Sequence, residues 1–193
     1  MCPPAGFEDR ARSGMSTGEK PETVRLWLLG GFRVSVGSRT IEKSAWRLRK
    51  AARLLKLLAL ASGHRLHREQ VMEALWQELG KKAASNNLRR TLHTTRTILD
   101  SAEGSRYLAS EDDSLVLCPR GSVWVDVDAF EEEEARARRS GDPAAYRAAI
   151  DLYTGDLLPE DRYEEWVDNR RYSCRGLGRQ RVAALTRQLR APR

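Results

Sequence analysis

Cysteine is scarce in this 193-residue sequence, and long apolar runs are missing. The three cysteines, Cys2, Cys118 and Cys174, form an odd set without CxxC spacing. We therefore expect a reducing cytoplasm, no disulfide framework, and packing roles for Cys118 and Cys174. The most apolar stretch, LLKLLALAS, is interrupted by Lys56 and is too short to cross a bilayer. The N-terminus MCPPAGFEDRARSG lacks the apolar core of a secretory signal. These absences argue against a membrane protein and against a secreted one.

The motifs of common enzyme classes are also absent. The sequence contains no GxSxG, GxxxxGK or HExxH motif and no dinucleotide-binding fingerprint. His64, His67 and His93 lack metal-site spacing, and the many carboxylates of residues 126–168 do not define a catalytic pair. The sequence thus predicts a protein that is not an enzyme and that needs no metal or cofactor.

Charge is distributed unevenly along the chain, whose net charge is +7. Residues 43–99 hold 13 Lys and Arg against 3 acids, whereas residues 126–168 hold 14 acids against 5 bases. Residues 170–193 hold 8 Arg and no acid. The first basic block is typical of a surface that binds a polyanion; a merely solvated basic surface is the alternative.

The first elements are a tail and a small sheet. Residues 1–22 are rich in Gly, Pro, Ser and charge, which predicts disorder, and Met15 is an alternative translation start. Apolar runs at Val24–Leu29 and Phe32–Val36 flank a Gly-Gly turn, and a third run lies near Arg39–Ile41. This pattern predicts a small antiparallel sheet.

Two amphipathic helices follow. The first is predicted over roughly 18 residues from Ser44, as far as the stop at Gly63. Its buried stripe would comprise Leu48, Ala51, Ala52, Leu55 and Leu58, and its basic face Arg49, Arg53 and Lys56. The second spans about Arg68–Leu79 and begins at His67, a poor N-cap.

A third helix, predicted from about 85 to 99, has an apolar face and a polar face without carboxylates. The apolar face comprises Leu88, Leu92, Thr95 and Leu99. The polar face comprises Asn86, Arg90, His93 and Thr97, flanked by Asn87, Arg89 and Thr94. Solvated faces usually mix Glu with Lys, but no acid occurs between Glu78 and Asp100. A helix in the major groove needs such a face, because Asn pairs with adenine and Arg with guanine, while phosphates repel carboxylates.

A β-hairpin with its turn at Glu111–Ser114 completes the order sheet, three helices, hairpin. A helix-turn-helix needs a scaffold helix, a second helix across the DNA backbone and a third in the groove. The sequence therefore predicts an α+β fold. A winged helix-turn-helix would occupy residues 23–120, and an all-α domain would occupy residues 121–193.

The second half is predicted to be helical. DVDAFEEEEARARRSG would begin with Asp126 or Asp128 as N-cap and places acids first and arginines last, as a helix dipole favours. DPAAYRAAIDLYTG has Asp142 as N-cap, Pro143 at its first position and Gly155 after its end. One or two further helices follow, the last with a stripe of Val182, Leu185 and Leu189. Such pairs look like tetratricopeptide-like repeats, so we expect the first pair to pack on the winged helix, or the last helix to form a homodimer.

The winged-helix part resembles the antibiotic regulatory protein (SARP) activators, which share the OmpR-type fold. Four segments carry the resemblance: VRLWLLGGFRVSVGSRTI, RKAARLLKLLALASGHRLHREQVMEALW, NNLRRTLHTTRTIL and YLASEDDSLVLCP. The part that follows is similar to the bacterial transcriptional activation domain of that family, most specifically at DVDAFE and GDLLPED…EW. The resemblance covers about residues 24–190 and implies an activator that binds double-stranded promoter DNA, often at direct repeats, and recruits RNA polymerase.

The resemblance also assigns roles to residues. It places Asn86, Asn87, Arg90, His93, Thr94 and Thr97 on the recognition helix. It places 77–82 on a loop that often faces the polymerase, and Arg106 and the hairpin tip on the wing. Phosphate contacts are expected from Arg49, Arg53, Arg68, Lys81, Lys82, Arg89 and Arg106. The tip EDDS is acidic where a DNA-contacting wing prefers Gly, Lys or Arg, which argues against a minor-groove contact there.

Two alternatives belong to other classes. A protein-interaction scaffold, in which the winged helix and the helical repeats bind protein, is favoured by the acidic middle block and the acidic hairpin tip. A non-specific RNA binder is disfavoured because the sequence offers no aromatic pair on a sheet of the kind on which RNA modules stack bases.

Overall fold

The computed structural model describes residues 22–100, 106–161, 163–164 and 186–187. Met15, the predicted tail apart from Glu22, and the predicted last helices apart from residues 186–187 lie outside these residues. The described strands are β1 (Val24–Trp27), β2 (Arg33–Val36), β3 (Arg39–Ile41), β4 (Arg65–His67), β5 (Leu108–Glu111), β6 (Ser114–Leu117) and β7 (Val123–Val125). The helices are α1 (Arg49–Leu60), α2 (Arg68–Trp76), α3 (Lys81–Leu99), α4 (Asp126–Ser140) and α5 (Pro143–Leu152).

A four-stranded sheet, hereafter the first sheet, has the strand order β3-β2-β1-β7. β2 pairs antiparallel with β1 and β3, whereas β7 lies parallel to β1, with Leu26 opposite Val125. The predicted antiparallel sheet of β1, β2 and β3 is confirmed, but β7, which was not predicted, makes the sheet mixed. β7 has three residues and follows the predicted domain limit at 120, so no local pattern links it to β1. The domain limits themselves stay a prediction.

The first sheet has one buried and one outward face, because successive side chains of a strand point to opposite sides. The buried face comprises Val24, Leu26, Val34, Val36, Ile41 and Val125. The outward face includes Arg25, Trp27, Arg33 and Trp124. The apolar face belongs to one hydrophobic core that extends through all five helices.

α1 is shorter than predicted. Residues Lys43–Trp46 form a 3-10 turn, and the α-helix begins at Arg49 with Leu48 as N-cap. Leu48, expected in the buried stripe, is 40% exposed because it precedes the helix. Lys56, expected on an exposed basic face, is 4% exposed, and its Nζ lies 2.5 Å from an Asp161 carboxylate oxygen. The burial of Lys56 could not be predicted from the helical periodicity of α1, because its ion-pair partner Asp161 follows α5 in the chain.

α2 begins with a better cap than predicted. The Nδ1 atom of His67 accepts a hydrogen bond from the Glu69 backbone N–H at 3.3 Å, and the Gln70 side chain accepts from the His67 N–H at 3.0 Å. This reciprocal pattern is a capping box, formed here with an imidazole. α2 ends at Trp76, earlier than expected, and leaves Leu79 37% exposed in the following loop.

α3 begins at Lys81, four residues before the predicted start near 85. Lys81 and Lys82 therefore form its first turn and are not part of the loop, which is confined to residues 77–80. The helix has 19 residues, and Gly80 occupies the N-cap position without a side-chain hydrogen bond.

The wing is a three-stranded sheet in the order β4-β6-β5. The hairpin between β5 and β6 turns where predicted, with Asp112 at φ 51. β4, which pairs with β6, was not predicted because three residues between two helices carry too little pattern. Cys118, just after β6, is buried as expected of a packing residue, and burial raises the pKa of its thiol to about 12.

α4 and α5 pack against each other, with the rings of Phe130 and Tyr153 5.9 Å apart. As predicted, the Asp142 carboxylate caps α5 by accepting from the Ala144 N–H at 2.9 Å. The prediction that Asp126 or Asp128 is the N-cap of α4 was wrong, because Val125 takes that position without a side-chain cap. The Asp126 carboxylate instead accepts from the backbone N–H groups of Leu28 and Leu29 at 2.9 Å.

The helical part is joined to the end of β1, as expected of a first helix pair that packs on the winged helix. α4 contacts β1 and β7. The Leu158 N–H donates to the Leu28 carbonyl at 2.9 Å, and the Gly30 N–H donates to the Asp156 carbonyl at 2.9 Å. A Cβ atom at Gly155 would lie 2.9 Å from the Gly30 Cα, so this approach requires glycine. No helix in the described ranges is long and apolar enough to cross a membrane.

Candidate nucleic-acid interface

One side of α3 is an exposed polar stripe. Asn86, Arg90, His93 and Thr97 are all exposed, at the spacing i, i+4, i+7 and i+11 that places residues along one face. Arg89 is also exposed, whereas Asn87 and Thr94 are partly covered at the edges of the stripe. No residue of α3 carries a carboxylate. The stripe therefore offers hydrogen-bonding groups along its length and positive charge at Arg90 and the adjacent Arg89, without a carboxylate.

The opposite side of α3 holds it to the rest of the winged helix. The buried residues are Ala84, Leu88, Thr91, Leu92, Thr95 and Leu99. Thr95, the polar member that the sequence analysis placed on the apolar face, donates its hydroxyl to the Thr91 carbonyl at 2.8 Å. The predicted division of α3 into two faces is confirmed.

Two threonines of the candidate interface have already used their hydroxyl hydrogens. Thr94 donates to the Arg90 carbonyl at 3.1 Å and Thr97 donates to the His93 carbonyl at 3.0 Å. What these side chains offer outward is a methyl group and oxygen lone pairs. Thymine methyl contacts suit them better than donation to a base.

The first turn of α3 opposes the ordinary charge preference of a helix. A helix N-terminus is partially positive and favours acids, yet Lys81 and Lys82 stand there, both exposed. Lys81 Nζ lies 2.7 Å from the Glu69 carboxylate. This hydrogen bond and charge contact raise the pKa of Lys81 and lower the pKa of Glu69. No ion pair involves Lys82 within the described part of the chain.

Two arginines position α3 relative to its neighbours. Arg96 donates from Nε to the Leu108 carbonyl of β5 at 2.9 Å, and from Nη2 to the Ser110 hydroxyl at 3.1 Å. Arg39 of β3 donates to the Leu99 carbonyl at 2.6 Å, which satisfies an orphan acceptor at the C-terminus of α3. Sequence reasoning missed both residues, because their acceptors are backbone carbonyls and a serine.

A buried carboxylate follows α3. Asp100 is 7% exposed, and burial raises the pKa of its carboxyl group. Its Oδ2 atom has no hydrogen-bond partner among the described residues. The positive charges of Arg106, Arg96 and Arg39 act in the opposite direction on the Asp100 pKa. The carboxylate that follows α3 is thus buried and not part of the exposed stripe.

The predicted phosphate-binding residues fall into separate groups. Lys81, Lys82 and Arg89 lie on α3, while Arg106 is exposed beside the wing. Arg68 begins α2 and is partly covered, and its N–H donates to the Asp113 carbonyl at 2.8 Å.

Arg49 and Arg53 lie elsewhere. They line an open cleft of about 410 Å³ on α1, together with Phe32, Trp46 and the acidic residues Glu160, Asp161 and Glu164. The Arg53 guanidinium is ion-paired with Glu164 there. The structure therefore does not bring these two arginines together with the exposed stripe of α3.

The wing tip is acidic and partly paired. Glu111 accepts from Arg65 at 2.6 Å, and both side chains are about half exposed. Asp112 and Asp113 are exposed at the turn itself. The tip thus presents negative charge on the same domain as the cationic stripe.

Comparison with protein-family models and with curated proteins finds no match. Among solved structures, the chain is similar to EmbR of Mycobacterium tuberculosis, determined in complex with a low affinity phosphopeptide. The two structures superpose with a TM-score of 0.67 at 16% sequence identity, over 86% of this chain and 44% of the EmbR chain. The chain therefore spans less than half of the length of EmbR. At this identity, the likeness shows a shared fold.

Proposed function

We propose that this chain is a sequence-specific DNA-binding transcription regulator that inserts α3 into the major groove of double-stranded promoter DNA. The observation that carries the proposal is the exposed stripe of Asn86, Arg90, His93 and Thr97, which no carboxylate interrupts. The fold shared with EmbR supports a winged helix-turn-helix in which α3 takes the recognition position.

The exposed groups divide into base contacts and phosphate contacts. Asn86 and Arg90 have the amide and guanidinium groups that read adenine and guanine bidentately. Asn87, His93, Thr94 and Thr97 complete the groove-facing set. The phosphate contacts are assigned to Arg68, Lys81, Lys82, Arg89 and Arg106, which set register without reading sequence. Arg49 and Arg53 are not assigned to DNA, because they line the separate cleft on α1.

We further propose that the regulator is a cytoplasmic activator that recruits RNA polymerase, as the resemblance to the SARP family implies. The support is the loop of residues 77–80, which is exposed and ends at the first turn of α3. Leu79, Met72 and Trp76 line an open groove of about 350 Å³ beside this loop. The tetratricopeptide-like character of residues 121–193 and homodimerisation through the C-terminal helices belong to the same proposal.

The test is a selection of bound sites from random duplex DNA with the purified chain. A single enriched motif, bound far more tightly than scrambled duplex, is the expected result, since specific complexes exceed non-specific ones by about 10³-fold or more. The logarithm of the affinity should fall linearly with the logarithm of salt concentration, because phosphate contacts release counterions. Selected pools without any enriched motif would contradict sequence-specific binding.

The second candidate is a protein-interaction scaffold, and the acidic wing tip with exposed Asp112 and Asp113 favours it. The same salt titration separates the two candidates. A scaffold is expected to show no binding to random duplex even at low salt, whereas a regulator binds duplex non-specifically there. Substituting Asp112 and Asp113 with Asn should leave duplex binding intact or strengthen it if the regulator assignment holds.

A further inference from the structure

Two tryptophans meet on the outward face of the first sheet, although the sequence predicted no aromatic pair on a sheet. Trp27 ends β1 and Trp124 lies in the middle of β7, with ring centroids 5.6 Å apart and ring planes at 62°. The pair was missed because β7 itself was missed. The aromatic pair on a sheet, whose expected absence disfavoured a non-specific RNA binder, is therefore present.

Two arginines flank this pair on the same face. Arg25 lies opposite Trp124 in the parallel register of β1 and β7, and Arg33 lies opposite Trp27 in the antiparallel register of β1 and β2. The guanidinium carbon of Arg33 lies 5.2 Å from the centroid of the Trp27 ring. Both arginines are exposed and both tryptophans are partly exposed. The sheet thus presents a surface of two indoles and two guanidinium groups.

Among the described residues, no acid pairs with the positive charges of this surface. No ion pair involves Arg25 or Arg33 in the described ranges of the chain. Arg33 lowers the pKa of Asp126 at a distance, but that carboxylate is buried and bonded to the N–H groups of Leu28 and Leu29. Cross-strand packing explains why the rings touch. It does not explain why two guanidinium groups lie beside them without an ion-pair partner among the described residues.

We propose that the face formed by Arg25, Trp27, Arg33 and Trp124 binds single-stranded nucleic acid. Unpaired bases stack on aromatic rings and on guanidinium planes, and phosphates pair with arginine. A single strand can therefore contact the two indoles with its bases and the two guanidinium groups with its phosphates. Duplex DNA offers the phosphates but hides the faces of its bases. This surface is built from β1, β2 and β7, whereas the proposed DNA-binding stripe lies on α3, so the two proposals rest on different elements.

The test uses the full chain with two fluorescently labelled probes: oligo(dT) of about 12 nucleotides, within the usual site size, and a random duplex of equal length. Fluorescence anisotropy at low salt is expected to show that wild type binds both probes. Trp27→Ala and Trp124→Ala should each weaken oligo(dT) about tenfold, the loss expected for one stacked base, and leave the duplex within twofold. Lys82→Gln on α3, which removes an assigned phosphate contact, should weaken the duplex and leave oligo(dT) within twofold.

Thermal unfolding shows whether the alanine variants fold. Two further variants test the proposal if they do not. Trp124→Phe retains a stacking face and should retain most oligo(dT) affinity. Arg25→Gln combined with Arg33→Gln should flatten the salt dependence for oligo(dT), since each lost phosphate contact reduces the slope. If this double variant binds the strand like wild type at every salt concentration, the proposal fails.

Other outcomes also overturn the proposal. One is oligo(dT) binding that Arg90→Ala abolishes and Trp124→Ala spares, because the strand then occupies α3. Another is an absence of oligo(dT) binding to the folded wild-type chain at low salt. A third is competition by poly-glutamate as effective as by unlabelled oligo(dT), because the surface would then recognise an acidic peptide by charge. None of these results tests duplex binding by α3. The failure of the single-strand proposal can therefore be distinguished from the failure of the proposed DNA-binding function.

Discussion

α3 and α4 carry charges of opposite sign at their N-termini, where the helix dipole is partially positive. α3 begins with Lys81 and Lys82, has no side-chain cap and contains no acid. α4 begins with Asp126 and ends with two arginines, and Gly141 closes it in the left-handed conformation at φ 65. The first arrangement costs stability and the second gains it, because the N-terminus of a helix is partially positive.

The comparison shows which charges are explained by the fold. In α4, Glu134 pairs with Arg138 at 2.7 Å and Glu133 pairs with Arg136 at 2.5 Å, within the helix. Charges that follow the dipole and pair within their own helix need no external partner. In α3, Lys81 pairs with Glu69 and Arg96 binds β5, but no ion pair involves Lys82, Arg89 or Arg90 within the described part of the chain. The proposed DNA-binding function would supply an anionic partner for these three side chains.

The largest expected effect tests whether the acids of α4 serve the fold. Asp126→Ala should lower the free energy of unfolding by about 3 kcal/mol, because two buried backbone N–H groups lose their acceptor at about 1–3 kcal/mol each. Urea unfolding measures the change. Asp151→Ala, at an exposed position of α5, is the matched control and should change stability by less than about 0.5 kcal/mol. Equal small losses for both variants would show that Asp126 does not hold the helical part to β1.

The pH dependence of the free energy of unfolding tests the burial of the Asp126 carboxyl group. Burial raises the pKa of Asp126 from 3.8 to about 6, so the folded chain takes up this proton before the unfolded chain does. This group therefore contributes stability at low pH that is lost as pH rises from about 4 to about 6, up to about 3 kcal/mol. The difference in unfolding free energy between Asp126→Asn and wild type isolates the effect. That difference should shift in favour of the variant as pH rises, and a constant difference from pH 4 to pH 7 would contradict the assignment.

A loss of specific affinity is expected from α3. Arg90→Ala should weaken binding to the selected duplex by about 1–3 kcal/mol and relax discrimination at one base pair. Arg147→Ala removes an exposed guanidinium from α5 and should leave binding unchanged. Competition binding against single-base variants of the site provides the measurement. Equal losses on specific and random duplex would mean that Arg90 contacts phosphate and reads no base.

A smaller effect is expected where α3 meets the wing. Arg96→Ala removes two hydrogen bonds to β5 and should lower duplex affinity by about 1 kcal/mol, with a similar cost in unfolding free energy. Arg96→Lys should not restore binding fully, because an ammonium group cannot reproduce the forked geometry. Unchanged affinity in the alanine variant would show that the wing contributes nothing through this contact.

The smallest expected effect comes from placing an acid in the first turn of α3, as α4 has. Lys82→Glu should raise the free energy of unfolding by about 0.5 kcal/mol, because the dipole of α3 then meets an acid. The same change should weaken duplex binding at low salt and reduce the salt slope by more than Lys82→Gln does. Thermal unfolding and salt titration measure the two quantities. A variant that loses both stability and affinity would contradict the idea that function opposes stability here.

The sequence alone predicted the two faces of α3, the strands β1, β2 and β3, and the hairpin of β5 and β6, but it missed β4 and β7. The two faces of α3 repeat every turn within 19 residues, so Asn86, Arg90 and Leu88 could be placed on their faces from local periodicity. The start of α3 was misplaced because Gly80 and two lysines give no capping signal. β4 and β7 have three residues each and pair with strands far away in the chain, so their partners could not be read from the sequence.

What the amino-acid sequence determined by itself is local: where α3 buries leucine, where it exposes Arg90, and how Asp142 and Pro143 start α5. Only the tertiary structure decided which distant groups meet. It seated the Asp126 carboxylate on the amides at the end of β1, buried Lys56 against Asp161, and placed Trp124 beside Trp27. The physical reason is that helical periodicity is encoded within one turn. A buried charge or a cross-strand ring contact depends on segments that come together only when the core closes.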